Sequence, residues 1–130
     1  MKGRDFLKVA DYLMPLETEA SVRAQVGRLY YASYLEARTW CEMHLAYERK
    51  QYSREHAEIQ RMLGIIDPEL ADELAFLRSY RNTADYDLYI SADTLDFQID
   101  NARRRAQSIM DRLEALPSPQ ANEPDDPGDV

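Results

Sequence analysis

Apolar positions recur at three- and four-residue intervals through most of this chain, the mark of helices that each bury one face. Phe6, Val9, Ala10 and Leu13 form a first stripe, which predicts a helix over 1–14. Met14-Pro15 ends it, because the residue before a proline is driven out of the helical region. A second stripe, Val22, Val26, Leu29, Ser33, Ala37, Trp40 and Cys41, opens after Glu17 or Thr18 and meets no breaker until about Tyr47. Tyr30, Tyr31 and Tyr34 widen it, and Ala32, Ser33 and Ala37 leave room for a neighbouring helix to come close. Roughly 30 residues of helix would stand about 45 Å tall and set the height of a bundle. Gly27 lies inside this segment at a cost of about 1 kcal/mol against alanine, and close packing is the expected reason for it.

A charged connection over 48–51 precedes Ser53, a suitable N-cap for a short helix over 54–63 that Gly64 would stop. Asp67-Pro68-Glu69 then supplies a cap, a proline at the first position and an acid in the first turn. Leu70, Leu74 and Leu77 make the stripe of the helix so opened, and the same spacing lands next on Arg81 and Ala84. The pattern breaks over 87–93, and Ser91 or Asp93 can cap a last helix with a heptad-like seam of Leu95, Ile99, Ala102, Ala106, Ile109, Leu113 and Leu116. Short links favour antiparallel neighbours. The expected fold is all-α: an up-and-down four-helix bundle over 1–116 with one extra short helix, then a disordered acidic C-terminal tail over 117–130.

Composition agrees with one helical domain. The chain has 130 residues, 45% hydrophobic and 31% charged, with only four glycines and no Asn-Gly or Asp-Gly hairpin signal. Net charge is −8; the tail acids Glu123, Asp125, Asp126 and Asp129 account for part of it, leaving 20 acids against 16 bases, a balance of −4, in the body. Such a body is no general polyanion binder, so any nucleic-acid contact needs a local basic patch. Cys41 is the single cysteine and no signal peptide is evident, which makes a reducing cytoplasm the expected setting. No apolar run approaches the roughly 20 residues that span a bilayer, so no membrane association is expected.

Candidate chemistry is sparse outside one stretch. Cys41 and His44 lie three apart, but two ligands fall short of a metal site, and no cofactor motif is present. Arg103, Arg104 and Arg105 spread over about 200° of helix arc, which reads as a solvated face rather than a phosphate patch. The dense chemistry sits in Leu77-Arg78-Ser79-Tyr80-Arg81-Asn82-Thr83-Ala84-Asp85-Tyr86-Asp87-Leu88. Arg81 occupies the apolar stripe, where an unpaired guanidinium would cost several kcal/mol. Asp85, one turn on, is its nearest partner in sequence, and Arg78 lies on the same side. Two roles stay open: an Arg-Asp pair finishing a helix end at a subunit interface, or an arginine held ready for a phosphate.

Arg81-Asn82-Thr83-Ala84-Asp85-Tyr86-Asp87 resembles the arginine-asparagine signature near the end of the third main helix of HEPN domains. Gly27-Arg28-Leu29-Tyr30-Tyr31-Ala32-Ser33-Tyr34 is similar to the tyrosine- and alanine-rich second helix of that family, and His56 sits where many members carry a histidine. The resemblance implies a helical bundle that dimerises through its signature face, in a prokaryotic defence or toxin–antitoxin setting or beside a nucleotidyltransferase. Many members are metal-independent ribonucleases that use an arginine, a polar residue and a histidine five to seven positions after the arginine. Here Tyr86, Asp87 and Leu88 stand at those positions, and no histidine follows Arg81. Tyrosine, with an ordinary pKa near 10, shuttles protons poorly at neutral pH. The resemblance therefore implies a non-catalytic interaction protein, a homodimer or one docked on a nucleotidyltransferase or defence effector, with Arg78, Arg81, Asn82, Asp85, Tyr86, Tyr30 and Tyr31 at the contact. The alternative is a ribonuclease or RNA-binding toxin with a diverged site at Arg81, Asn82, Asp85 and Tyr86.

Overall fold

The computed structural model describes residues 1–51 and 53–117. Among them lie five helices: α1 (Asp5–Leu13), α2 (Glu19–His44), α3 (Glu55–Ile66), α4 (Pro68–Tyr86) and α5 (Ala92–Ala115). The three longest begin on side chains that accept a backbone N–H: Thr18 from Ser21 N, Asp67 from Leu70 N and Ser91 from Thr94 N. Each satisfies one of the donors that a helix start leaves unpaired.

The ends differ more from the pattern. α2 stops at His44, short of Tyr47. The chain turns left-handed at Ala46 (φ 54°), and the Tyr47 N–H returns to the Cys41 carbonyl at 3.2 Å, closing the helix. α3 starts on Arg54 without a side-chain cap and runs through Gly64 to Ile66. Gly64 is thus no stop. A Cβ there would lie 3.3 Å from Ala71 Cβ, so the glycine lets α4 come close. What ends α3 is Asp67, held extended (φ −143°, ψ 92°) ahead of Pro68 while its carboxylate caps α4. The extra helix is therefore 12 residues long, and the shortest is α1 with 9.

α2 packs against all four other helices, and its length of about 39 Å at 1.5 Å per residue sets the bundle height. Leu29, Tyr30, Tyr34 and Trp40 from α2 meet Ile59 and Leu63 of α3, Leu70, Leu74 and Leu77 of α4, and Ala102, Ala106, Ile109 and Leu113 of α5 in one core. α1 contributes Ala10, while Val9 of its expected stripe turns outward. Gly3 fixes that register: a Cβ there would stand 2.8 Å from Leu35 Cβ and 2.9 Å from the Glu36 nitrogen.

The arginine run of α5 is not a uniform solvated face. Arg103 is half-buried and donates to Asp11 (3.0 Å) and to Gln25 Oε1 (2.7 Å), tying α5 to α1 and α2. Arg105 donates to Asn101 (2.6 Å) and lies over the Phe76 ring at 4.0 Å. Only Arg104 is exposed. The acidic tail expected over 117–130 falls, from Ser118 on, outside the described residues. No helix of the described residues is long and apolar enough to cross a membrane.

Candidate functional site

The last turns of α4 bring most of the candidate residues together, and α2 holds that end in place. Arg23 donates through Nη1 to the carbonyls of Ala84 (2.9 Å) and Asp87, and through Nη2 to Glu19 (3.1 Å). A guanidinium at a helix C-terminus meets both unpaired carbonyls and the negative end of the dipole. Nothing in the local pattern marks Arg23 for this, since the two carbonyls it meets lie more than 60 residues away.

Arg81 keeps the stripe position that its spacing from Leu77 implies, and its charge is met within the chain. Its Nε stands 3.0 Å from Asp85 Oδ2 as an ion pair, Nη2 donates to the Tyr31 hydroxyl at 3.0 Å, and Nη1 reaches Asn82 Oδ1 at 3.4 Å. The Nε–H is misaligned for a hydrogen bond to that carboxylate and stays buried without an acceptor. The guanidinium also lies over Tyr31 at 5.3 Å and near Tyr86 at 6.0 Å. Asp85 fills the space opposite Gly27, where an added Cβ would meet its Oδ1 only at 3.9 Å. Close packing therefore does not account for Gly27.

Asn82, Asp85 and Tyr86 are exposed, and Asn82 and Tyr86 help line a shallow depression with Thr83 and Asp87. Tyr86, Leu88 and Tyr89 are 73%, 77% and 91% exposed, a cluster of large side chains that the fold leaves uncovered. Tyr30 is different: its ring is 2% exposed, so it cannot meet a partner directly. It acts from behind, where its hydroxyl makes a short hydrogen bond with Nδ1 of His56.

His56 of α3 is linked to this flank through Tyr30, whose neighbour Tyr31 accepts from Arg81, a placement that spacing around Arg81 could not reveal. Its ring stacks on Tyr34 at 3.9 Å with the planes 8° apart. Burial holds the imidazole below its ordinary pKa, and the charges of Arg78 and Arg81 push the same way. The ring is therefore neutral at neutral pH. Burial raises the Tyr30 hydroxyl above its usual range, so it keeps its proton. Arg78 is half-buried, one turn before Arg81, and among the described residues no carboxylate pairs with it.

Beside this lies a closed polar network. Glu55, 4% exposed, accepts from Tyr34, from Arg38 at 3.0 Å, from Tyr47 at 3.1 Å and from the Lys50 backbone at 2.7 Å. Burial opposes its ionisation, but these donors outweigh it and hold the carboxyl down at about 2. Cys41 is buried, which pushes its thiol up to about 12, and His44 tilts over Trp40 at 4.7 Å. Among the described residues no three His, Cys, Asp or Glu side chains converge on a metal position.

In comparisons with family models, curated proteins and solved structures, nothing matches this chain.

Proposed function

We propose that this chain is a HEPN-like interaction protein that forms a homodimer through the end of α4, in a prokaryotic defence or toxin–antitoxin pair. The observation that carries the reading is the exposed group Tyr86, Leu88 and Tyr89 beside an Arg81 whose charge is already met inside the chain. Aromatic side chains flanked by a satisfied guanidinium are the composition of an interface centre. In a two-fold contact the same patch meets itself, so an apolar group of this kind is self-complementary. Sedimentation velocity at micromolar concentration tests it. The wild-type chain is expected to be a dimer, and the double substitution Tyr86→Ser, Leu88→Ser to give a monomer with unchanged helical circular dichroism. A monomeric wild-type chain would sink the reading.

A second reading is supported by His56, which bonds to Tyr30 through Nδ1 and is held below its ordinary pKa by burial and by the charges of Arg78 and Arg81. A neutral imidazole is a general base and a nearby guanidinium stabilises phosphate charge, which is the equipment of a metal-independent ribonuclease. Cleavage of RNA in the presence of a chelator, abolished by Arg81→Ala and by His56→Gln, would replace the first reading with this one.

A further inference from the structure

The starts of α2 and α5 lie side by side, and a cleft of about 300 Å³ opens between them. Its floor is apolar: Val22 of α2, Ile90 from the link between α4 and α5, and Leu95 of α5. Its rim is acidic, with Glu17 and Glu19 from the start of α2 and Asp96 from α5. No lysine or arginine lines it. Arg23, one turn past Glu19, pairs with that residue at 3.1 Å but is turned inward to the carbonyls of Ala84 and Asp87. Among the described residues no cation pairs with Glu17 or Asp96. The positive end of a helix dipole accounts for an acid in the first turn, such as Glu19. It does not account for Asp96, which is the fifth residue of α5, because the effect fades within the first turn.

We propose that this cleft receives a basic segment of a partner protein, which inserts a lysine or arginine side chain between the starts of α2 and α5. Such a side chain meets both parts of the cleft. Its methylene stem lies along Val22, Ile90 and Leu95, while its charged head stays at the wet rim among the carboxylates. A wholly apolar anchor would cover the floor and leave the rim acids desolvated without a partner. An anionic partner would be repelled, both at the rim and by a chain whose net charge is −8. A cleft of this size stands at the lower end of ligand pockets, which run from about 300 to 1,000 Å³, so it suits one anchoring side chain better than a whole cofactor.

A second copy of the chain does not fit this place in a two-fold contact. Cleft would meet cleft, and two sets of three carboxylates would face each other. The surface is also distinct from the proposed dimer patch, since Tyr86, Leu88 and Tyr89 do not line it. All its residues belong to one chain, so it stands or falls apart from the dimer.

Fluorescence anisotropy of the full chain tests this with a fluorescein-labelled helical peptide of leucine and lysine, beside one with glutamate in place of each lysine. The expected result is saturable binding of the lysine peptide alone, weakened by added salt. Glu17→Gln with Asp96→Asn removes two partly solvated ion pairs and is expected to weaken binding about tenfold. Glu48→Gln with Asp72→Asn removes the same charge from exposed positions outside the cleft and is expected to leave binding nearly unchanged. Ala92 is exposed at the cleft, so Ala92→Trp fills the space and is expected to abolish binding with helical circular dichroism unchanged. The Tyr86→Ser, Leu88→Ser chain is expected to bind as the wild type does. The proposal is overturned if the two pairs of charge substitutions weaken binding equally, which leaves only net charge at work. It is overturned if Ala92→Trp, with its circular dichroism intact, binds as the wild type does, or if the Tyr86→Ser, Leu88→Ser chain loses binding. Full displacement of the peptide by spermidine at equal total charge would overturn it as well, by making the cleft a site for a small polycation.

Discussion

Two residues sit in each other's natural places. Gly27 is helical, with a negative φ, and an added Cβ meets nothing nearer than Asp85 Oδ1 at 3.9 Å. Alanine fits there and restricts the unfolded chain, so Gly27→Ala is expected to raise stability by about 0.5–1 kcal/mol in chemical denaturation. Ala46 shows the converse. It takes the left-handed turn (φ 54°) that closes α2, a conformation in which its Cβ is crowded and glycine's absence of one is an advantage. Ala46→Gly is expected to gain about 1 kcal/mol at unchanged denaturant slope. A loss at position 27 would mean that Asp85 needs the space the glycine leaves, and a loss at 46 would mean that the turn is not left-handed in solution. Neither residue's role could be read from its neighbours in sequence. A glycine within a helical pattern signals close packing as readily as indifference, and only the distance to Asp85 separates the two.

At the scale of elements, the connection between α2 and α3 hangs on one carboxylate. Glu55 gathers Tyr34 and Arg38 from α2 and Tyr47 and the Lys50 backbone from the linker, so neutralising it releases all of them. Its folded pKa of about 2 lies below the ordinary 4.5. The stabilisation, roughly 3 kcal/mol, is therefore fully present above about pH 4.5 and drains away as pH falls towards 2. Glu55→Gln is expected to cost most of that at neutral pH and progressively less on acidification, until the two stability curves converge; a gap that stays constant down to acid pH would show that the carboxylate is not depressed. This network also marks what was legible beforehand. The starts of α2, α4 and α5 could be read because Thr18, Asp67 and Ser91 each bond three residues ahead. Glu55 and Tyr34 stand 21 residues apart, His56 and Tyr30 stand 26 apart, and Arg23 reaches 61 residues to Ala84. Such pairings exist only once the helices pack. The Arg81–Asp85 pair was legible for the opposite reason, as a one-turn spacing on a single helix. The error at Gly64 has the same origin as the omissions: its partner is Ala71, on the next helix.

For the whole molecule the decisive quantity is charge. Each chain carries −8, so two chains repel at long range whatever their contact surface does. The patch proposed for that contact is made of Tyr86, Leu88 and Tyr89, and Arg81 beside it is already paired with Asp85. Few charges are left to form ion pairs across the interface, which leaves apolar burial working against net repulsion. Added salt shortens the Debye length from about 30 Å at 0.01 M to about 10 Å at 0.1 M and screens the repulsion, while it leaves the burial of tyrosine and leucine intact. The dimer dissociation constant is therefore expected to fall as salt rises. Ending the chain after Pro117 removes four acids and leaves a balance of −4. The shortened chain should dimerise more tightly than the full one at low salt, and its dissociation constant should respond less to added salt. Sedimentation equilibrium of both chains across a salt series measures the two trends together. A dimer that loosens with salt would instead place ion pairs across the interface, and would mean that Asp85 or Asp87 of one subunit meets an arginine of the other.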